Sequence, residues 1–178
     1  MATDQRGRVR TEPSAKRLRA YLGGHVVLDT TNPLLVWETP YYPTYYVPAA
    51  DLVAELEATG KTDHSPSRGD AEIFTLRTGG HEAIGAAQRY ADSPIDALRD
   101  HVRVDWGAMD AWFEEDEEVF THPRSPYARI DILPTSREVV VRHGDVELAR
   151  STRAHALSST RWSRRTASTP GARCRRWP

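Results

Sequence analysis

Leu18, Ala20 and Leu22 alternate with Arg17, Arg19 and Tyr21, the period of two expected of a strand with one buried face. Gly23-Gly24 follows, a pair free to take positive φ. Val26-Val27-Leu28 then returns, so the segment predicts a hairpin. Leu34–Trp37 is a continuous apolar run and predicts a buried strand. Pro40, Pro43 and Pro48 punctuate the aromatic stretch after it, which argues against a helix or a central strand there. Residues 49–58 fit either a short helix after Pro48 or a strand. Phe74 and Leu76 alternate with Ile73, Thr75 and Arg77, so 71–78 reads as a strand, closed by a second Gly-Gly turn at 79–80. Val102 and Val104 mark another. The best helix is 107–120: Asp105 is placed to cap it, and Met109, Trp112 and Phe113 fall at i, i+3 and i+4. The expected fold class is mainly β with a short helix.

One internal repeat is visible. Pro13 through Leu18, then Gly23 and Thr30-Thr31, match Pro134 through Val139, then Gly144 and Ser151-Thr152, at a constant offset of 121. The second stretch starts the same hairpin, with Val139-Val140-Val141 and Val146-Glu147-Leu148 around a turn. Beyond Thr152 its apolar and aromatic positions give way to Ser, Thr and Arg.

Composition narrows the picture. A chain of 178 residues fits one domain with some length to spare, or two very small ones. No apolar run approaches the length of a membrane span, and 1–6 has no apolar signal-like core, so a cytoplasmic protein with no membrane partner is expected. The lone Cys174 excludes an internal disulfide framework and a thiolate-rich zinc site. Charge is lopsided: 151–178 holds seven arginines and no acidic residue, leaving residues 1–150 with all 25 carboxylates. That tail would permit electrostatic contact with nucleic acid, but it lacks a folded platform and stacking aromatics, so nucleic acid is not the expected partner. It also cannot bury enough apolar area to offset backbone entropy of about 1–2 kcal/mol per residue. Residues 158–178 are therefore expected to be disordered. A frameshift near 155–160 would produce so abrupt a change.

Candidate chemistry concentrates in four places. Ser65-Pro66-Ser67-Arg68-Gly69-Asp70 sets a hydroxyl, a guanidinium and a carboxylate around a Gly turn. It reads either as the lining of an anion or nucleotide pocket or as a hairpin turn with a surface Arg68–Asp70 pair. Tyr41, Tyr42, Tyr45 and Tyr46 could hold a planar ligand or wedge an irregular loop onto a small sheet. Glu38 directly follows a buried run, a costly place for a carboxylate unless it is paired. The run 114–118 reads as a solvated helix end rather than a metal site, because carboxylates on one helix point around the cylinder. Seven scattered histidines show no zinc-hydrolase spacing. No metal and no cofactor are expected.

The segments Arg6–Arg10, Pro33–Glu38, Tyr42–Pro48, Ser65–Ala71 and Asp105-Trp106 with 111–119 together resemble a bacterial family known as domain of unknown function 427, also labelled a nucleotidyltransferase family. The resemblance implies curved antiparallel sheets of the β-tent kind and allows tandem copies. It divides the chain into a polar lead-in (1–15), a full domain (6–128), the start of a truncated second copy (129–157) and the tail. In the family the Pro66 motif reads Cys-Pro-x-Lys-Gly; Ser65 and Arg68 stand here in place of the cysteine and lysine. The residues expected to bind a small molecule or anion are Glu38, Tyr45, Tyr46, Ser65, Arg68 and Asp70, with Glu38, Tyr46 and Arg68 converging. The alternative is a nucleotidyltransferase or other phosphate-handling enzyme, as the label implies. The residues speak weakly for it: there is no Gly-Ser pair, no Walker segment, and only Asp70-x-Glu72 as a close carboxylate pair. Self-association through an unpaired edge at 137–149 is a further expectation.

Overall fold

A computed structural model describes residues 9–39, 41–123 and 131–158. Residues 1–8 of the 1–15 lead-in and the tail from 159 onward lie outside the described residues. The strands are β1 (Arg10–Pro13), β2 (Leu18–Leu22), β3 (His25–Thr30), β4 (Leu34–Trp37), β5 (Thr44–Pro48), β6 (Glu55–Ser65), β7 (Gly69–Thr78), β8 (His81–Arg89), β9 (His101–Val104), β10 (Ala111–Glu114), β11 (Glu117–Glu118), β12 (Asp131–Thr135), β13 (Val139–His143), β14 (Val146–Ser151) and β15 (Ala154–Ser158). Single 3-10 turns occur at Ala49–Asp51, Asp96–Leu98 and Trp106–Ala108. The chain is thus mostly β, in curved antiparallel sheets, none closed into a barrel.

A seven-stranded sheet, ordered β1-β4-β5-β9-β8-β7-β6, packs against a four-stranded one ordered β11-β10-β2-β3. Leu35, Tyr45, Val47, Val102 and Val104 meet Leu18, Ala20, Val27, Leu28 and Trp112 in the core. The other face of the large sheet carries a second cluster, Leu34, Val36, Tyr46, Ala71, Tyr90 and Leu98, partly covered by Ile95. Burial on both faces explains why β4 reads as an unbroken apolar run rather than an alternation. At the far edge, β6 is polar along nearly its whole length and is interrupted by a register shift near Gly60 (φ +72°). Charge and irregularity protect such an edge from unwanted pairing.

Three expectations are corrected. The prolines do not exclude a central strand: β5 lies between β4 and β9, with Pro43 just before it and Pro48 as its last residue. Proline is tolerated where a strand begins or ends. No helix forms at 107–120. Asp105 does cap a turn, accepting from Gly107 N at 3.2 Å, but the turn stops after Ala108 because β10 pairs with β2, Trp112 opposite Ala20. Burial then alternates, Trp112 and Glu114 inward, as a strand requires. Sheet pairing overrides the local helical spacing.

The acidic run 114–118 is not solvated throughout. Glu114 and Glu115 are 0% and 2% exposed. Lys16 Nζ donates to Glu114 Oε2 at 2.6 Å and to Asp131 Oδ2 at 2.7 Å, while the Tyr45 hydroxyl donates to Glu114 Oε1 at 3.0 Å. Glu115, at φ 54°, accepts from Arg17 N (3.0 Å), Arg137 Nη2 (2.7 Å) and Thr135 Oγ1 (2.8 Å). The β10–β11 turn is therefore clasped between 16–17 on one side and 131–137 on the other.

The offset of 121 extends to the pairing itself. β1 pairs β4 as Arg10↔Trp37 through Pro13↔Leu34, and β12 pairs β15 as Asp131↔Ser158 through Pro134↔His155. Leu18↔Thr30 and Leu22↔His25 in β2–β3 match Val139↔Ser151 and His143↔Val146 in β13–β14, with the register shift at the same step, Ala20/Tyr21 and Val141/Arg142. The local turns agree too: Ser14 Oγ accepts from Lys16 N as Thr135 Oγ1 accepts from Arg137 N.

Candidate functional site

On the outer face of the large sheet, alternation along β5 turns Tyr46 away from the main core that Tyr45 enters. Register sets Arg103 of β9 directly across from Tyr46, and Gln88 of β8 across from Arg103. Glu38 follows β4, whose Leu34 pairs with Tyr46. The β6–β7 turn brings in Arg68: its backbone N–H donates to Ser65 O at 3.2 Å, and Gly69 takes φ +88° to enter β7. Tyr90 leaves the end of β8. Five separate segments thus deliver one polar cluster.

Its bonds are short and convergent. The Tyr46 hydroxyl donates to Glu38 Oε1 at 2.8 Å and accepts from Arg68 Nη1 at 2.8 Å. Arg68 Nη1 is itself 2.6 Å from Glu38 Oε1, and Arg103 Nε approaches the same oxygen at 3.2 Å. Arg68 Nε donates to Ser65 Oγ at 3.0 Å, and Arg103 Nη1 donates to Gln88 Oε1 at 3.2 Å. The Arg68 guanidinium lies over the Tyr90 ring, 5.0 Å from its centroid, a cation–π contact. Tyr90 is 0% exposed, yet its hydroxyl makes no hydrogen bond among the described residues.

Burial, with the Glu38 carboxylate beside it, raises the Tyr46 hydroxyl far above its usual range, so it stays a neutral phenol. Burial likewise raises Tyr90. For Arg68, burial works against the charge, but Tyr46 and Glu38 outweigh it and the guanidinium is held more firmly protonated. Two guanidinium groups against one carboxylate leave a surplus positive charge. Glu38, Arg68 and Arg103 keep 17%, 16% and 28% of their side-chain surface, so the cluster is reachable from solvent.

Of the residues expected from sequence, the structure brings together Glu38, Tyr46, Ser65 and Arg68. It places Tyr45 in the core against Glu114. Asp70 lies on the surface with His64, 2.5 Å away, and does not join Arg68. Arg103 and Tyr90 were missed. Arg103 had a signal: a cation between two buried valines on a central strand poses the problem Glu38 posed, and each answers the other. Tyr90, after the polar Gln88-Arg89, had none.

Ser65→Cys is expected to leave the fold intact, since Ser65 is buried and the change is nearly isosteric. The Arg68 guanidinium beside it would lower the thiol pKa below about 8.5. Thiol titration by absorbance, with circular dichroism for the fold, reads both; loss of soluble protein or an unshifted thiol contradicts the expectation.

A family model described as Domain of unknown function (DUF427) matches residues 10–115, as a single copy. That span contains all seven residues of the cluster: Glu38, Tyr46, Ser65, Arg68, Gln88, Tyr90 and Arg103. No curated protein matches the chain.

Proposed function

Because the chain belongs to the DUF427 family over residues 10–115, we propose that this domain binds a small anionic molecule, a carboxylate or phosphate ester, at Arg68 and Arg103 on its outer face. The observation that carries this reading is the surplus of guanidinium: Arg68 and Arg103 both close on the single Glu38 carboxylate and keep 16% and 28% of their side-chain surface. Glu38 and Tyr46 then orient the guanidinium groups, and Ser65 holds Arg68 through its Nε. Planar donors of this kind suit bidentate oxyanions better than a lysine would.

Calorimetric titration with acetate, inorganic phosphate, a nucleoside monophosphate and Mg²⁺–nucleoside triphosphate tests the proposal. At least one of the metal-free anions should bind, and Arg103→Gln should weaken that binding by about tenfold or more with little change in melting temperature. No binding of any anion sinks the reading. Stabilisation by Mg²⁺–nucleoside triphosphate alone favours the phosphate-handling alternative instead; saturation at a hundredfold over Kd gives about 2.7 kcal/mol.

We propose also that 131–158 is a second copy of β1–β4. The matching registers, the shared register shift and the repeated Ser/Thr turns support it.

A further inference from the structure

In the first unit the outer edge of β2 is occupied: β10 pairs along it from Ala111↔Tyr21 to Glu114↔Leu18. The equivalent edge of β13 carries no strand among the described residues, because β13 and β14 form a sheet of two. The side chains differ accordingly. Leu18, Ala20 and Val27 are 0% exposed, whereas Val139, Val141 and Leu148, their equivalents at the offset of 121, are 41%, 49% and 63% exposed. An open, β-branched strand edge next to exposed apolar side chains is a template for pairing.

We infer that this edge is a self-association site, where β13 of one chain pairs antiparallel with β13 of a second copy about a two-fold axis through Val140. The charges select that partner and that register. With Val140 opposite its own copy, Val139 meets Val141, and Glu138 meets Arg142, at both ends by symmetry. Opposite charges and β-branched pairs directly across a ladder are the favourable combinations. Within its own hairpin Arg142 is loosely held: it is 3.7 Å from Glu147 and 61% exposed, while Arg150 takes the closer contacts to Glu138 and Glu147 at 2.7 and 2.8 Å. Its guanidinium is the one best placed to reach across. The anion site plays no part in this contact, so the two proposals stand or fall separately.

Sedimentation velocity on the full chain at tens of micromolar should show a dimer that weakens with added salt. Arg142→Glu sets like charges opposite each other twice, and should raise the dimer Kd by about tenfold or more with unchanged far-ultraviolet circular dichroism. In a Cys174→Ser background, Val140→Cys should give a disulfide-linked dimer on mild oxidation, since paired Cα atoms about 4.5–5.5 Å apart lie within disulfide reach. Val146→Cys, at the far end of the hairpin, should not. A monomeric chain overturns the inference, whether the edge is then covered by the chain's own remaining residues or left open. So does a dimer indifferent to Arg142→Glu in which Val140→Cys fails to cross-link.

Discussion

Replacing Lys16 with methionine is expected to destabilise the fold by about 3–5 kcal/mol, the cost of breaking a buried ion pair from one side. Lys16 is 5% exposed and bridges Glu114 and Asp131, 0% and 3% exposed. Methionine fills much of the same volume but withdraws the ammonium from two buried carboxylates, while the Tyr45 hydroxyl still donates to Glu114. Adding Glu114→Gln and Asp131→Asn to Lys16→Met should recover much of the loss, because the uncompensated charges disappear. Urea unfolding followed by tryptophan fluorescence measures all of these, and equal midpoints for wild type and Lys16→Met would contradict the argument. Lys16→Arg should also destabilise. A planar fork cannot occupy the point where two carboxylate oxygens converge at 2.6 and 2.7 Å. That need accounts for a lysine here in a chain where only two of 24 basic residues are lysines.

Both β-hairpins around Gly-Gly turns were legible because alternation and turn chemistry agree at 18–28 and again at 71–80. The sheet at 111–118 was not legible. Met109, Trp112 and Phe113 satisfy a helical spacing, and the partner that decides for a strand, β2, lies about ninety residues away in sequence. The same distance hid the meaning of the carboxylates. A run of acids looks solvated until Lys16 and Arg137, neither near it in sequence, are seen to close on it. At the candidate site, Glu38 and Arg68 were found because each is odd in its local setting: a charge after a buried strand, a guanidinium in a Gly turn. Asp70 was grouped with Arg68 as part of one turn, but it already lies in β7 and meets His64 across the hairpin, while Arg68 stays in the turn and reaches Tyr46. Alternation along β5 separates Tyr45 from Tyr46. The offset of 121 was visible in a few identities, such as Pro13 with Pro134 and Gly23 with Gly144, and the matching registers needed coordinates.

Gly23→Ala is expected to cost about 2–3 kcal/mol, more than Gly24→Ala at about 1 kcal/mol, although both residues sit in one turn at positive φ. The difference lies across the interface. The β2–β3 and β7–β8 tips share the sequence Gly-Gly-His and interlock: a Cβ added at Gly23 would lie 2.2 Å from Cδ2 of His81, and one added at Gly79 would lie 2.2 Å from Cδ2 of His25. Around Gly24 and Gly80 nothing lies within 4 Å. The two rings sit 5.8 Å apart, and Thr78 Oγ1 donates to Val26 O at 3.2 Å, so the tips tie the small sheet to the large one. Gly23 N also donates to Asp110 Oδ2, which anchors the turn and limits its retreat. Gly23→Ala must therefore bear both backbone strain and displacement of the His81 ring, whereas Gly24→Ala bears strain alone. Adding His81→Ala to Gly23→Ala should remove the steric part and leave the cost of Gly24→Ala, a coupling readable in a double-mutant cycle of thermal midpoints. Gly79→Ala with His25→Ala should repeat the pattern from the opposite hairpin. Additive effects in both cycles would mean that the rings move aside freely and that the tips do not lock the sheets together.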